Sequence, residues 1–255
     1  MKQVICMKWG RLYDPEYVNK LYYMVRANTS GQLRFVCLTD DPTGIIDSVE
    51  CFECPTIPIP DPYSKLGWRK IVLFKNGESL FDFEGDWLFL DLDVVITSKM
   101  DCFFEFLPEK SFVVMRNWTQ PKKNIGNTSV YRFRIGSDSG LYTNLVCNYK
   151  EVLDKYRNSQ TYISDNIKEL HFWPDKWCRL FKHDCVPSWP SRFWKEPTIP
   201  EKSIVIAFPG NPNPHEAAVG RWPVKKPYKK IYKYIKPVSW ISRVWSEAEN
   251  NAKKK

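Results

Sequence analysis

The stretch Asp86-Trp87-Leu88-Phe89-Leu90-Asp91-Leu92-Asp93-Val94-Val95-Ile96-Thr97 decides how the rest of the chain is read. Large apolar residues run without interruption into two carboxylates one residue apart, and the apolar run then resumes. A segment apolar at every position, rather than at every second one, reads as a strand buried on both faces. That is the usual state of a central parallel strand. Side chains at i and i+2 of a strand share a side. Asp91 and Asp93 are therefore expected to converge at the strand's carboxyl end, where open α/β sheets bind ligands. Two ionised carboxylates held close repel each other unless a cation neutralises them. Hard oxygen ligands, with phosphate as co-ligand, point to Mg²⁺ or Mn²⁺. The plain alternative is a solvated Asp-x-Asp turn after a strand.

Upstream, Val4-Ile5-Cys6-Met7 reads as a first buried strand. Asp14-Pro15 has the form of an N-cap followed by Pro at the first helical position. Tyr17, Val18, Leu21, Tyr22 and Val25 recur at helical spacing, and Leu33 to Leu38 reads as a second strand stopping at Thr39-Asp40-Asp41. Strand, helix and strand within forty residues make a βαβ unit, whose loops at the strand ends form a nucleotide crevice. No Gly-x-Gly-x-x-Gly is present, which disfavours a classical dinucleotide fold.

The proline-rich residues 51–63 read as an ordered surface loop, and Gly67 to Phe74 as a buried helix leading to the Asp-x-Asp strand. Downstream, a short helix is expected over Lys99–Phe106 and strands over Ser111–Met115 and Asn127–Phe133. Ser164-Asp165-Asn166-Ile167 has the character of a helix start. An aromatic segment, His171 to Cys178, precedes a last strand, Ser203–Phe208, and a rigid loop, Phe208-Pro209-Gly210-Asn211-Pro212-Asn213-Pro214-His215.

A chain of 255 residues is long enough to bury one large α/β core. Charge divides it unevenly. Residues 221–255 hold 11 Lys or Arg against two Glu, whereas the first 220 residues hold 27 basic and 27 acidic side chains. The expected division is a neutral body, 1–220, and a basic tail, 221–255, that seeks an anionic surface. Eight Cys include Cys6 and Cys37 inside apolar runs, where a thiol is an ordinary small hydrophobe. Cys51-x-x-Cys54 has no second pair at zinc spacing. With no signal-like or membrane-spanning run, a reduced, cytoplasmic protein is the simplest expectation.

Phe89-Leu90-Asp91-Leu92-Asp93-Val94-Val95-Ile96 resembles the Asp-x-Asp signature of GT-A-type glycosyltransferases, specifically the glycogenin-like and lipopolysaccharide sugar transferases. The N-terminal βαβ unit and Ile204-Val205-Ile206-Ala207-Phe208-Pro209-Gly210, similar to that family's late strand and metal loop, support the resemblance. It implies an α/β, Rossmann-like fold: a mostly parallel central sheet flanked by helices, one domain with a basic C-terminal appendage. It also implies transfer of a sugar from a nucleoside-diphosphate sugar, UDP-sugar favoured, to a saccharide or lipid-linked saccharide acceptor in surface-polysaccharide synthesis.

Carried over by position, Asp91 would contact the ribose and the metal, and Asp93 would bind the metal directly. Met7, Lys8, Trp9, Gly10 and Asp40 would hold base and ribose. Lys70 would meet donor phosphates or Asp91, or is simply a solvated helix residue. The family's third metal ligand is a His in the late loop. Around Phe208 this chain has Ala207 and Pro209, so His215 is the substitute, with Asn211 or water as alternatives. Asp165 is the candidate for general base or donor orientation, or else a capping carboxylate. Asn127, Ser129 and Trp173 are candidates for the acceptor side, with Trp118 and Trp177 as further stacking or core residues.

Between Pro223 and Trp245, Lys225, Lys226, Lys229, Lys230, Lys233 and Lys236 interleave with Tyr228, Ile231, Tyr232, Tyr234, Trp240 and Trp245. Basic residues mixed with Trp and Tyr describe an anchor on anionic lipid at the inner face of a membrane. The competing expectation is that Trp240 to Trp245 pack back on the catalytic domain.

Two other function classes compete. Haloacid-dehalogenase-type phosphatases also end an apolar strand in Asp-x-Asp, but near the N-terminus and followed by Gly-Thr or similar. A basic nucleic-acid-binding protein is the non-enzymatic alternative. The neutral body argues against it, and no nucleic-acid partner is expected.

Overall fold

The computed structural model describes residues 1–120, 122–224 and 226–254. Lys225 and Lys255 of the expected basic tail lie outside the described residues.

β1 (Lys2–Lys8) leads to α1 (Pro15–Asn28), with Asp14 at its N-cap position and Pro at the first turn. Val18, Leu21, Met24 and Val25 are buried, the face expected from their helical spacing. β2 (Leu33–Thr39) returns parallel to β1, and β3 (Glu50–Glu53) pairs parallel to β2. Gly67–Phe74 is a 3₁₀ helix burying Trp68, Ile71, Val72, Leu73 and Phe74. β4 (Asp86–Leu90) and β5 (Val94–Ile96) flank the two carboxylates, and α2 (Cys102–Glu105) follows. Then come β6 (Phe112–Arg116), β7 (Gly126–Arg134), α3 (Gly140–Cys147), α4 (Tyr149–Lys155) and α5 (Ser159–Asn166). The chain closes with β8 (His171–Phe172), β9 (Cys178–Leu180), β10 (Val205–Ala207), α6 (Pro214–Ala218) and α7 (Ser239–Ala252).

The main sheet has seven strands in the order β3-β2-β1-β4-β7-β6-β8, and a second sheet runs β5-β10-β9. β4 is parallel to β1 and antiparallel to β7, and only the pairs made by β7 are antiparallel in the main sheet. Both faces are covered. Leu88 and Leu90 belong to one buried cluster, with α1; Trp87 and Phe89 belong to the other, with the 3₁₀ helix and α5.

The apolar runs on either side of the two carboxylates, β4 and β5, belong to different sheets. Backbone hydrogen bonds explain the change of partner. Asp91 N donates to Ser129 O on β7 at 2.9 Å, whereas Phe208 N donates to Asp93 O at 3.0 Å. The carboxylates therefore sit in a turn between sheets, where both can face one space.

α5 runs the other way about its expected boundary. Residues 164–167 end this helix rather than begin one. Asn158 is the N-cap, its side chain accepting from Thr161 N at 3.0 Å. The Ser164 hydroxyl is used inside the helix, donating to Gln160 O at 2.7 Å.

The tail is part of the same core. Ile235, Val238, Trp240, Ile241 and Ala248 join the cluster containing α1. Trp240 Nε1 donates to Pro197 O at 2.9 Å, and the Lys20 ammonium lies 4.4 Å from the Trp245 ring centroid. Burial of Trp240 and Ile241 is what the competing expectation required. Tyr228, Ile231, Tyr232 and Tyr234 remain exposed. Among the described residues, no helix is long and apolar enough to cross a membrane.

Candidate active site

A cavity of about 560 Å³ opens at the carboxyl ends of β1, β2 and β4, lined by Trp9, Gly10, Asp40, Lys70, Asp91 and Asp93 among others. Parallel strands create this location because their connections must cross over, leaving a crevice beyond the strand ends.

The first wall is the loop after β1. Gly10 sits at φ 65°, a left-handed conformation that other residues adopt at a cost. Its N–H donates to Asp40 Oδ2 at 2.8 Å, tying the first loop to the end of β2. Met7 and Trp9 line the space, and Trp9 Nε1 donates to Lys65 O at 2.9 Å. Lys8 is buried, and its ammonium donates to Asp41 O at 3.1 Å. It braces the loop from behind and is not among the residues lining the cavity.

The two carboxylates have unlike surroundings. Asp91 is paired with the Lys70 ammonium, which also lies 3.5 Å from Thr128 O and 5.1 Å from the Phe89 ring centroid. Lys70 thus takes the second of its expected roles, as partner of Asp91. Asp93 is 8% exposed and accepts from the Tyr13 hydroxyl at 3.1 Å. Burial first, then the neighbouring Asp91 charge, push the Asp93 carboxyl up to about 7, against the opposing pull of Lys70 and the Tyr13 hydrogen bond. The Tyr13 hydroxyl is in turn held well above its ordinary range by burial and by Asp93.

This has a consequence for stability. A carboxyl whose folded pKa lies above its unfolded value favours folding fully below the unfolded pKa. That contribution is lost as pH rises through the folded pKa. The metal-free protein is expected to lose stability from about pH 4 to about pH 7 through Asp93, by on the order of 3 kcal/mol. Asp93→Asn is expected to flatten that slope and to melt higher than the parent at pH 8 without metal. Chemical denaturation across pH, with EDTA present, checks both; parallel slopes in the two proteins would contradict the reading.

The donor set suits a divalent cation. Two carboxylates that repel at neutral pH, at the mouth of a cavity large enough for a phosphorylated ligand, match the one or two carboxylates that Mg²⁺ or Mn²⁺ takes beside substrate phosphates. The structure does not gather His215 with them. His215 lies in the first turn of α6, its Nδ1 hydrogen-bonded to the Tyr17 hydroxyl, and Asn213 and Glu216 form a capping box around that helix start. Among the described residues no group of three or more His, Cys, Asp or Glu is placed to hold a metal. The Tyr17 and Tyr13 ring centroids are 4.8 Å apart, and it is Tyr13, not His215, that hydrogen-bonds Asp93.

The remaining sequence candidates fall elsewhere. Asp165 is exposed on the last turn of α5 and does not line the cavity. Its expected place at a helix start fails because Asn158, not Ser164, begins the helix. Trp173 is 2% exposed, packs 4.9 Å from Phe103 and donates through Nε1 to Val130 O at 3.3 Å, which makes it core. Asn127 and Ser129 are buried in β7. Asn127 Oδ1 accepts from Ser129 N at 2.9 Å, and Ser129 O in turn receives Asp91 N. They position the carboxylate loop.

Three participants were missed by sequence reasoning. Tyr13 and Arg11 stand in the loop after β1, where no periodicity marks them. Gln160, at the true start of α5, brings its Oε1 to 3.3 Å from Thr128 N, beside the Lys70–Asp91 pair. Only correct placement of the Asn158 cap would have found it.

No protein-family model matches the chain, and none of the curated proteins does. Solved structures do. The galactosyltransferase LgtC, in complex with donor and acceptor sugar analogs, aligns over 97% of this chain and 95% of its own, with a TM-score of 0.59 and 11% identity. The chain has the GT-A glycosyltransferase fold. The glycosyltransferase GlyE of Streptococcus pneumoniae TIGR4 matches with a TM-score of 0.59 and 11% identity, over all of this chain and 63% of its own. Mouse xyloside xylosyltransferase 1 matches with a TM-score of 0.51 and 13% identity, over 82% of this chain and 97% of its own. The similarity with LgtC reaches past the Asp-x-Asp turn and almost the whole length of the chain, including most of the segment expected as an appendage.

Proposed function

We propose that this GT-A chain is a metal-dependent glycosyltransferase that moves a sugar from a nucleoside-diphosphate sugar, UDP-sugar favoured, to a saccharide or lipid-linked saccharide. The observation that carries the reading is the convergence of Asp91 and Asp93 on one cavity whose other wall is Trp9, Gly10 and Asp40. Base and ribose would lie against Met7 to Gly10 and Asp40, and Asp91 and Asp93 would hold Mn²⁺ or Mg²⁺ against the diphosphate. The cation supplies charge stabilisation to the departing diphosphate. Lys70 fixes the Asp91 carboxylate. Tyr13 donates to Asp93 and orients its carboxylate, while the buried Asp93 must be ionised to act. Divalent-ion binding is accordingly expected to strengthen as pH rises through about 7.

A panel of nucleotide sugars, with and without Mn²⁺, followed by thermal unfolding, tests donor choice. A shift confined to Mn²⁺ plus one class of nucleotide fits the proposal; no shift with UDP-, GDP- or CDP-sugars would sink it.

The exposed Tyr228, Ile231, Tyr232 and Tyr234, beside Lys226, Lys229 and Lys233, favour contact with an anionic membrane surface near a lipid-linked acceptor. Flotation with anionic vesicles is expected to carry the parent chain and to lose a variant with Tyr228, Ile231 and Tyr232 changed to Ser. Equal flotation of both would remove the membrane role.

A further inference from the structure

A second cavity, of about 320 Å³, is lined by Lys182, Asn211, Pro223, Val224, Lys229 and Lys233. It shares no lining residue with the cavity of Asp91 and Asp93. Its lining has three cations, one amide and no carboxylate, and no ion pair joins Lys182, Lys229 or Lys233 to an acidic group among the described residues.

The lysines are gathered with no carboxylate among the residues that line the recess. Lys229 and Lys233 are joined by a Lys233 N to Lys229 O hydrogen bond of 2.8 Å, which sets them one helical turn apart on one face. Like charges at that spacing repel. Lys233 also lies 5.6 Å from the Trp222 ring centroid. Lys182 comes from a different element, the π-helical turn Phe181–Cys185, and donates to Pro209 O. Its ammonium is half-buried. Burial first, and then Lys233, make its proton easier to lose, while Asp93 opposes them. Gly210 keeps the loop there at φ 68°, and a Cβ in its place would stand 3.7 Å from Lys182 Nζ. Segments distant in sequence thus bring positive charge to one recess within electrostatic reach of Asp93.

We propose that this recess, which shares no lining residue with the nucleotide cavity, is a phosphoryl-anion site in which Lys182, Lys229 and Lys233 with the Asn211 amide receive phosphate oxygens. Ammonium groups on flexible stems suit phosphate as point charges. The anion has two possible sources, the diphosphate of a nucleotide-sugar donor or a phosphate carried by the acceptor. Naming those sources rests on the glycosyltransferase reading; the anion site itself does not.

The test uses the full chain and inorganic pyrophosphate in EDTA. Without metal, Asp91 and Asp93 repel that probe, and because Arg11, Lys65, Arg69 and Lys70 also line their cavity, it is the variants at Lys229 and Lys233 that assign the binding. Calorimetry is expected to show binding by the parent protein, about tenfold weaker binding by Lys229→Gln/Lys233→Gln, and near-parental binding by Lys229→Arg/Lys233→Arg. Loss of charge, not loss of the side chains, is then the cause. No binding by the parent, or equal binding by the Gln and parent proteins, would overturn the site. UDP with Mn²⁺ separates the sources. If the Gln variant loses UDP affinity in step, the anion is the donor's; if UDP affinity holds while pyrophosphate affinity falls, it is the acceptor's. Failure of the glycosyltransferase reading looks different: Mn²⁺-dependent UDP binding is then absent from the parent, whatever pyrophosphate does.

Discussion

Asp93→Asn is expected to lower the release of nucleoside diphosphate from the preferred donor by about a thousandfold, the scale of removing a group that stabilises developing charge in the transition state. The substitution keeps the shape of the side chain and its hydrogen bond with the Tyr13 hydroxyl. It removes the charge that would hold a cation. The carboxyl is 8% exposed and raised to about 7, so the wild-type chain bears an unfavourable buried charge at pH 8 whenever no metal is present. Loss of activity should therefore come with a gain in metal-free melting temperature. A merely structural aspartate would give the opposite pairing, lower stability and lower activity together. Product release and thermal unfolding, measured on one preparation at pH 8, separate the two. An Asn variant with parental turnover would end the assignment.

The second large effect concerns Arg132, 1% exposed on β7. Its guanidinium donates to Phe103 O at 3.0 Å, Phe106 O at 2.7 Å, Lys110 O at 3.3 Å, and Leu107 O as well. These carbonyls belong to α2 and the turn that follows it, where Leu107 is held at φ 46°, a conformation unusual for a branched residue. One side chain thus satisfies a turn whose oxygens have no strand to pair with. Arg132→Met fills similar volume but withdraws the guanidinium from Phe103 O, Phe106 O and Lys110 O, while Leu107 O keeps the bond it receives from Lys110 N at 3.0 Å. The cost is expected at about 3 kcal/mol, since each buried carbonyl left without a donor costs about 1–3 kcal/mol. That corresponds to roughly 10 °C in melting temperature for a chain of this size. A urea midpoint unchanged from the parent would show that the turn is satisfied in another way. Arg132→Lys should recover only part of the loss, because one ammonium cannot reproduce the planar fork.

Sequence pattern reached the frame of the molecule because burial writes itself into periodicity. β1, α1 and β2 follow from Val4–Met7, the Asp14-Pro15 start and Leu33–Leu38; burial of both faces of β4 follows from its uninterrupted apolar run. The division of residues 86–97 between two sheets was not legible. It depends on which partner receives Asp91 N and which supplies Phe208 N, and both are distant in sequence. Asp165 was misplaced because Ser-x-Asn is as compatible with a helix end as with a start, and the deciding cap is Asn158. Trp240 read as a membrane anchor because a basic, aromatic tail has the same composition whether its rings face lipid or the α1 face. Its hydrogen bond to Pro197 O decides for the protein interior.

Residue type singled out Asp91 and Asp93, and the resemblance carried over Lys70, Gly10 and Asp40; all five line one cavity. Tyr13 and Lys182 carry no local signature. Their roles arise from elements that meet only in three dimensions, α1's leading loop with the Asp-x-Asp turn, and the segment after β9 with the loop after β10. His215 shows the limit of substitution by proximity in sequence, since its ring is turned to Tyr17.

If Asp91 and Asp93 hold a divalent cation against a nucleotide diphosphate, calorimetric titration of UDP into the protein reads it out. With Mn²⁺ present, saturable one-to-one binding is predicted, lost in EDTA and lost in Asp93→Asn. UDP binding of equal strength with Mn²⁺ and with EDTA would contradict it.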